Sequence, residues 1–554
     1  MTDDQAADFP STGPTFLPAA DLREIVGAAI EREGHLLTAG EGVIARRLWA
    51  LADEPLTLYA RLLARVGPVF RVRRLTYALD VDAGIRRLAE LDLVVTTLPD
   101  DRCAGAFTAP ELRLACREIG LATSGTRAVL VERLRGRRWV AEPVVMCCHR
   151  ALVARLERFY FQRPWMDRTA LLLDRLGAVR WASYTPTGGR GLHRDRRAML
   201  TWERASSGRW TDEAEPLRLV LAGPGSDPLS PWRRAVEAVI ENGLDAVTLM
   251  AVARAGAPVL PRLALALEAE GRVEDALEVC RGRVPGILPS PDEARTADAH
   301  MVDPVARIAL ARTGARLARA CGRSWPPLDL RPARERILRL PPGLRGARPS
   351  WRVDGVDHTV ESAVMATLRR HGREAVHAEN TLWTSLYALV FRDLYFLPVP
   401  GMLPTARRDG PLDVGTPAFA VRRAREVKAR IAAVAAEGCG AFVAAWQGER
   451  LAGLSLPTLA QRCASLVPPA MAAAVLGRIV YEGWGAASGL PDLLILPGAR
   501  TRVDGLIPAN IDPHAILVEV KGQGDSLRDG QRVWTNTLIR ADIPVELWAV
   551  RTES

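Results

Sequence analysis

Two short segments near the C-terminus carry charged side chains at the edges of apolar runs. In residues 489–496, Asp492 precedes four apolar residues, and residues 516–522 contain Glu519 and Lys521. Side chains alternate along a β-strand, so Glu519 and Lys521 share one face of the second segment. Burying a carboxylate and an ammonium beside such a strand is costly unless they pair or bind a metal. The two segments therefore predict buried strands that carry a polar functional site.

These side chains have the chemistry of a hard metal site. The carboxylates of Asp492 and Glu519, the main-chain carbonyl of Val520 and water are oxygen ligands, which Mg²⁺ and Mn²⁺ prefer. Lys521 next to such a site can orient an attacking water or stabilise charge on a phosphate. This is the PD-(D/E)xK arrangement in physical terms. The alternative interpretation is a β-hairpin with a surface ion pair, because short matches to the pattern are common.

Two observations favour the catalytic interpretation. A second E-x-K match at Glu426 and Lys428 lies in residues 419–436, whose composition predicts a helix, where residues two apart do not share a face. Lysine occurs only at positions 428 and 521, and arginine supplies all the other basic residues among the 74. Lys521 therefore marks a position where a compact ammonium is wanted and a guanidinium is not.

The composition predicts a globular protein of several domains. The chain has 554 residues, of which 48% are hydrophobic and 25% charged, and its length predicts roughly three or four domains. The net charge of +10 suits a polyanionic partner. Eight cysteines without a C-x-x-C pair support neither a disulfide framework nor a zinc site. No apolar run approaches the roughly 20 residues of a membrane span, and we expect a cytoplasmic protein.

The N-terminal part is predicted to be helical and basic. Residues 1–20 are acidic with Pro and Gly, which indicates a disordered lead-in and not a signal peptide. Residues 21–108 predict helices and a strand-like end at 93–97, with arginines around residues 67–70. This region is either a winged-helix-like module with a basic face or an ordinary solvated helical face.

Residues 109–138 have a more specific two-helix pattern. A first helix has an apolar stripe at Leu112, Ala115/Cys116 and Ile119 and ends at Gly120. A turn at residues 124–127 leads into a second short helix. The pattern resembles a SAP module, a small unit that binds the DNA backbone, and its alternative is an ordinary helical hairpin. Candidate phosphate contacts, which position a protein without reading sequence, are Arg127, Arg133, Arg135, Arg137 and Arg138.

The middle of the chain predicts a helical scaffold. Residues 139–230 are expected to form a helical linker region, with a basic stretch at 190–197 that is equally well a DNA contact or a solvated face. In residues 231–350, the segment 262–280 matches one helix–turn–helix of a tetratricopeptide-like repeat, with Gly271 at the turn. A Pro- and Arg-rich connector at 325–351 is expected to separate this scaffold from a last domain, residues 351–554.

The last domain is predicted to mix helices and strands. A helix that Thr359 caps carries Glu361 in its first turn, and Asn380 caps a buried helix over residues 381–396, with Glu379 just before it. After Lys521, Asp525 or Ser526 can cap a helix that runs to about residue 540. Gln531 on that helix could point toward the metal site, and residues 545–550 predict a closing strand.

The C-terminal residues, from Asp492 through residues 517–522 to Asp525 and Gln531, resemble a VRR-NUC nuclease domain. The order of basic helical region, SAP-like module, helical scaffold and VRR-NUC end is similar to the bacterial form of the Fanconi-associated nuclease family. The resemblance implies a multidomain, mostly α protein with a C-terminal α/β nuclease domain of the restriction-endonuclease-like PD-(D/E)xK type.

The same resemblance implies a structure-specific DNA nuclease of the phosphodiesterase I type. Expected activities are 5′-flap endonuclease and 5′→3′ exonuclease, dependent on Mg²⁺ or Mn²⁺, in DNA repair that includes interstrand crosslinks. The expected partner is branched or flapped DNA, for a nucleoid-associated cytoplasmic monomer or dimer. The alternatives are a DNA-binding scaffold with a degenerate nuclease fold, or another PD-(D/E)xK enzyme such as a junction resolvase or restriction-type endonuclease.

The resemblance also implies roles for individual residues. Lys521 is the catalytic lysine, and the metal ligands are Asp492, Glu519, the Val520 carbonyl and Glu379. Glu361 is the second choice for the place of Glu379, and Asp525 and Gln531 support the site. The chain departs from the family pattern at Ser526, where some members have arginine, and in a long link between residues 496 and 515.

Overall fold

The computed structural model divides by its contacts into two compact units. One unit contains residues 1–180 and 188–200, and the other contains residues 181–187 and 201–554. The described residues are 18–140, 142–162, 168–187, 193, 195–207, 210, 212–222, 230–255, 259–285, 304–344, 349–379, 381–497 and 515–553. No helix within these ranges is both long enough and apolar enough to cross a membrane.

The N-terminal half of the chain forms short amphipathic helices whose leucines and alanines are buried. They are α1 (Ala19–Glu33), α2 (Ala39–Trp49), α3 (Asp53–Leu63), α4 (Val81–Glu90), α5 (Asp100–Cys103), α6 (Ala109–Glu118), α7 (Arg127–Leu134), α8 (Arg150–Phe161), α9 (Arg168–Arg175) and α10 (Arg196–Ser207). Because α1 already starts at Ala19, directly after Pro18, the predicted lead-in of residues 1–20 is too long at its end. Residues 1–17 lie outside the described part.

A small antiparallel sheet joins three separate segments of the first unit. Its strands are β1 (Val69–Arg71), β2 (Val94–Val95) and β3 (Val144–Cys147), in the order β1-β3-β2. The two-helix hairpin of α6 and α7 is therefore inserted between strands of one sheet, and the predicted helical linker region of residues 139–230 also contains the strand β3. Four consecutive apolar residues are too short for a helix, and they bury instead against their neighbouring strands.

The second unit begins with a helical bundle whose core consists mainly of leucine, alanine and valine. Its helices are α11 (Glu215–Ala222), α12 (Ser230–Glu241), α13 (Ala246–Ala255), α14 (Leu260–Ala269), α15 (Val273–Cys280) and α16 (Pro304–Ala320). The turn between α14 and α15 contains Gly271 at a φ of 77°, as the helix–turn–helix pattern predicts. Since α11 lies before residue 231, the bundle starts earlier than the sequence indicated.

The Pro- and Arg-rich connector contains a strand of the C-terminal sheet. Strand β4 (Arg334–Leu340) pairs in parallel with the last strand of the chain, so the sheet begins before the predicted boundary at residue 351. In this segment only Leu338 and Leu340 point into the core, while arginines occupy most other positions. The strand was not recognised from the sequence because only two of its seven residues are buried.

The C-terminal sheet has five strands in the order β4-β10-β9-β8-β7. Its other strands are β7 (Ala375–His377), β8 (Leu493–Ile495), β9 (Ile516–Lys521) and β10 (Val545–Thr552). A separate two-stranded hairpin consists of β5 (Trp351–Val353) and β6 (Val356–His358). Strands β4, β10 and β9 are parallel, and β8 runs antiparallel to both β9 and β7. The sheet therefore joins segments from both ends of the last 220 or so residues.

Helices cover both faces of this sheet. They are α17 (Val360–Arg370), α18 (Thr381–Val390), α19 (Arg392–Tyr395), α20 (Pro417–Arg422), α21 (Ala424–Glu437), α22 (Gly440–Ala444), α23 (Pro457–Ala464), α24 (Pro469–Glu482) and α25 (Asp529–Arg540). Helix α17 packs on one face, and the buried α18 packs with the helices that follow it on the other. Glu426 and Lys428 lie on α21, so the second E-x-K match is helical as predicted. The predicted cap Asn380 lies outside the described residues.

Candidate active site

Three of the predicted side chains lie on one face of the C-terminal sheet. Leu493 of β8 pairs with Val518 of β9, and both belong to the core that packs against α17. Because side chains alternate, Asp492, Glu519 and Lys521 belong to the opposite face. Continuing the antiparallel register by one residue brings Asp492 opposite Glu519, as the strand interpretation requires.

Direct contacts hold these residues in place. Asp492 Oδ2 accepts a hydrogen bond of 2.8 Å from the backbone N–H of Val520, and the Asp492 carbonyl accepts one of 2.8 Å from Ala378. Lys521 Nζ lies 2.7 Å from Glu519 Oε1. Glu519 is only 1% exposed. The charges of Glu519 and Lys521 are thus paired at the end of a central strand, where solvent hardly reaches the carboxylate.

Burial and mutual repulsion act on both carboxyl groups. Burial and the nearby Asp492 raise the pKa of Glu519 to about 8, although Lys521 opposes the shift. Burial also raises the pKa of Asp492, against the Val520 N–H and Lys521, while Glu361 and Glu379 add to the rise. Several acidic groups therefore create a negative electrostatic potential at one place, and a bound cation would reduce the repulsion between them.

The residues fit a divalent metal by their donor chemistry. Both carboxylate oxygens of Glu519 are buried without a well-formed hydrogen bond, and Oε1 meets Lys521 only as an ion pair. A buried carboxylate with unused lone pairs is a costly arrangement unless a cation binds there. Within the described ranges, no three Asp, Glu, His or Cys side chains are gathered closely enough to form a complete ligand set.

Both candidates for the further acidic ligand lie near Asp492. Glu361 is in the first turn of α17, and Glu379 stands between β7 and α18, where its carbonyl accepts a 2.7 Å hydrogen bond from Thr381. Each raises the pKa of Asp492, so each is close enough to act on it. The assignment of Glu379 as a metal ligand stays a prediction. Glu361 stays the alternative, because it also acts on Asp492.

The turn after Lys521 differs from the prediction. Asp525 Oδ2 accepts a 3.0 Å hydrogen bond from the backbone of Gly522, and Arg551 Nη1 donates one of 3.1 Å to the Gly522 carbonyl. Asp525 thus closes a tight turn and caps no helix. Helix α25 begins only at Asp529, so the prediction of a cap at Asp525 or Ser526 is wrong.

Gln531 has a role in helix capping. Its Oε1 accepts a 2.9 Å hydrogen bond from the backbone N–H of Arg528, directly before α25. It fixes the start of the helix, and the orientation of Gln531 toward the metal site stays a prediction. Beside it, Gly489 at a φ of 85° approaches Gly530 so closely that a Cβ would lie 2.7 Å from its carbonyl carbon. Asp525 and Gln531 thus each hold the backbone near the site, and their support of the metal site stays a prediction.

The arginines of the SAP-like hairpin divide into two groups. Arg127 Nη2 donates to the Ala104 carbonyl at 2.8 Å, and Arg133 Nη1 donates to the Ala122 carbonyl at 2.9 Å, so both tie the hairpin together. Arg137 and Arg138 are exposed and make no side-chain hydrogen bond or ion pair with any described residue. These two are the better candidates for phosphate contacts.

Sequence reasoning missed two further arginines on this hairpin. Arg113 and Arg117 are exposed on α6, one turn apart, and their side chains also lack a polar partner in the part of the chain that the structure covers. Their spacing of four residues, on the side of α6 opposite the buried stripe, could have indicated this exposed basic pair from the sequence.

Comparisons with known proteins agree with this arrangement. The family model of the SAP domain matches residues 104–137, and that of the VRR-NUC domain matches residues 448–552. A Fanconi-associated nuclease 1 homolog of Pseudomonas aeruginosa is 25% identical over 598 residues, covering 100% of this chain and 99% of that protein. A homolog of Arabidopsis thaliana is 23% identical over 604 residues, covering 94% of this chain and 65% of that longer protein.

A solved structure has the same fold. The crystal structure of paFAN1 bound to 2-nt 5′-flap DNA with a gap matches with a TM-score of 0.72 at 23% identity, covering 99% of this chain and 100% of that one. A second structure of paFAN1, bound to 1-nt 5′-flap DNA with a gap, also gives a TM-score of 0.72.

The fold and the residues of the sheet define the class of protein: it is a DNA nuclease with a VRR-NUC domain of the PD-(D/E)xK type, and nucleases of this type depend on a metal ion. With a SAP domain ahead of that domain, the chain is similar from end to end to the Fanconi-associated nuclease 1 homolog of Pseudomonas aeruginosa.

Proposed function

We propose that this protein hydrolyses phosphodiester bonds of branched DNA, cutting at 5′ flaps and degrading strands in the 5′→3′ direction. The observation that carries the proposal is the placement of Asp492, Glu519 and Lys521 on one face of the sheet, with both oxygens of Glu519 buried and lacking good hydrogen bonds. The 5′-flap DNA bound by the similarly folded paFAN1 supports the choice of substrate.

Each residue has a proposed part in the reaction. Asp492, Glu519, Glu379 and the Val520 carbonyl would hold Mg²⁺ or Mn²⁺, which polarises the phosphate and lowers the pKa of a bound water. Asp492 also holds the backbone of Val520 through its 2.8 Å hydrogen bond, which fixes the peptide that follows Glu519. Lys521 orients the nucleophile or stabilises charge on the phosphate in the transition state.

The test compares three labelled substrates: a 5′ flap, a four-way junction and a plain duplex. We expect preferred cleavage of the flap with Mg²⁺ or Mn²⁺, and none after the metal is chelated. Preference for the junction would support a resolvase, and cleavage of the duplex alone a restriction-type enzyme.

Lys521→Ala and Asp492→Ala should each abolish cleavage, by about 10³-fold or more, while DNA binding is mostly kept. The matched control is Lys428→Ala, which removes the other lysine of the chain from the exposed side of α21. If Lys521→Ala cut the flap at the wild-type rate, the assignment would be wrong. If neither the wild type nor Lys428→Ala cut any substrate but both bound DNA, the chain would be a degenerate scaffold.

The proposed cellular role is DNA repair, including repair of interstrand crosslinks, by a nucleoid-associated cytoplasmic enzyme. It rests on the likeness to Fanconi-associated nuclease 1 homologs. A strain without the gene should be sensitive to a bifunctional crosslinking agent and regain resistance with the wild-type gene but not with Lys521→Ala. Equal resistance of all three strains would contradict this role.

A further inference from the structure

Two arginines stand beside the active site on the same face of the C-terminal sheet. In the parallel pair β9–β10, Lys521 is opposite Ala549, and in the pair β10–β4, Arg551 is opposite Arg339. Leu338 and Val550 of these strands face the core beneath α17, so the alternation of side chains places Arg339 and Arg551 on the face of Lys521. Arg551 lies two residues, or roughly 7 Å of strand, beyond the position opposite Lys521.

This part of the face is open to solvent. Arg339 is exposed, and its side chain makes no hydrogen bond or ion pair with any residue that the structure describes. Ile337, which comes two residues before Arg339 on the same face of β4, is 59% exposed, so no helix among the described residues covers this end of the sheet. A ligand can therefore reach both guanidinium groups.

Arg551 connects this pair to the active site. One of its donors, Nη1, binds the carbonyl of Gly522 at 3.1 Å, in the turn that directly follows Lys521. A guanidinium has five N–H donors, so the other donors remain for a ligand. Arg551 is thus held at the edge of the active site by one contact.

The position of the pair is unfavourable in the protein alone. Like charges directly opposite on neighbouring strands are destabilising, because their side chains are about 5 Å apart. Arginine on an edge strand can protect the edge from pairing with another chain. That accounts for Arg339 on β4, but not for Arg551, since β10 lies inside the sheet.

We propose that Arg339 and Arg551 form a phosphate-binding pair, which holds a backbone phosphate of the DNA substrate beside the phosphate that is cut. The inference rests on the proposed function, because it needs a DNA strand at Lys521. Two adjacent guanidinium groups match the oxygens of a phosphodiester, and such contacts fix the register of the strand without reading its sequence.

The clean test is Arg339→Gln, since this side chain has no partner to lose among the residues that the structure describes. The matched control is Arg334→Gln, which removes an exposed arginine at the other end of the same strand, on the other face of the sheet. Affinity for a 5′-flap oligonucleotide is measured by fluorescence anisotropy over a series of salt concentrations, in full-length Lys521→Ala protein that leaves the DNA uncut.

We expect Arg339→Gln to weaken binding about fivefold to tenfold and to lower the slope of log K against log salt by about 1. Arg334→Gln should change neither. Arg551→Met should act like Arg339→Gln and Arg551→Lys should restore most of the affinity, because the charge is kept. With Lys521 present, single-turnover cleavage of the flap by Arg334→Gln at saturating enzyme should stay within about twofold of wild type.

An Arg339→Gln protein with the affinity and salt slope of Arg334→Gln overturns the phosphate-binding pair. This result is separate from the proposed function, which fails if wild-type protein does not cut the flap. Should Arg551→Met lower the melting temperature, Arg339→Gln still decides the question.

Discussion

Glu519 shows how one buried carboxylate can organise an active site. Its side chain is almost free of solvent, and among the described residues Lys521 is its ion-pair partner. Breaking a buried pair by removing one partner leaves an uncompensated charge, which costs a few kcal/mol. A metal ion bound at Glu519 would offset that cost together with Lys521, which would couple the stability of the site to metal binding.

A second buried carboxylate, far from the active site in sequence, gives a test by pH. Glu33, at the end of α1, is 1% exposed, and Gln162 donates a 2.9 Å hydrogen bond to its Oε1. Burial raises the pKa of Glu33 to about 7, while Arg32 and Gln162 oppose the shift. Unfolded chains release this proton near pH 4.5, so this group favours the folded state below that pH and loses its contribution as pH rises to about 7.

We therefore expect Glu33→Gln to become more stable relative to wild type as pH rises from 4.5 to 7, by on the order of 1–3 kcal/mol. Urea unfolding at several pH values measures the difference. Glu31→Gln, which changes an exposed neighbour on the same helix, is the control and should show no such trend. A difference between Glu33→Gln and wild type that is constant with pH would contradict the buried ionisable group.

At the scale of elements, periodicity predicted the helices better than the roles of their charged residues. The α6–α7 hairpin, the turn at Gly271 and the buried α18 follow from apolar spacing and glycine position, which are local properties. The cap of α25 was missed because Asp525 binds the backbone of Gly522 in a turn that the spacing does not reveal. The sequence ranking of Glu379 above Glu361 stays a prediction, because tertiary packing brings both toward Asp492.

The two groups of arginines on the SAP-like hairpin should respond differently to substitution. Arg137→Gln with Arg138→Gln should weaken DNA binding about tenfold and lower the salt slope by about 2. The melting temperature should not change, because neither side chain has a hydrogen bond or ion pair with a described residue. Arg127→Gln should instead cost about 1–3 kcal/mol of stability, since it loses the hydrogen bond to Ala104.

Anisotropy and thermal melting of the same proteins separate the two effects. If Arg127→Gln weakened binding without lowering the melting temperature, the division of these arginines would be wrong.

At the scale of the whole molecule, the C-terminal sheet is completed by segments that are distant in sequence. The VRR-NUC match covers residues 448–552, yet β4 and β7 of the sheet lie outside it, at Arg334–Leu340 and Ala375–His377. Composition alone marked the first of these as a connector, since arginine and proline dominate the region. Long-range pairing, which no local pattern records, decides where the domain begins.

A fragment that starts at the boundary predicted from sequence should therefore fold poorly. Residues 351–554 lack β4, which leaves β10 as an open edge and removes Leu338 and Leu340, both nearly fully buried. Burying a leucine contributes about 1.5–3 kcal/mol, so the loss is on the order of 3 kcal/mol or more. A fragment of residues 328–554 keeps β4 and also the pair between Asp329 and Arg540.

Urea unfolding, followed by circular dichroism, should give the longer fragment the higher midpoint. In the longer fragment, changing Leu338 and Leu340 to serine should lower the midpoint toward that of residues 351–554. Ile337→Ser is the control, because that side chain of the same strand is largely exposed and contributes little burial. Equal midpoints for the two fragments would show that β4 is dispensable and that the domain begins where the sequence alone placed it.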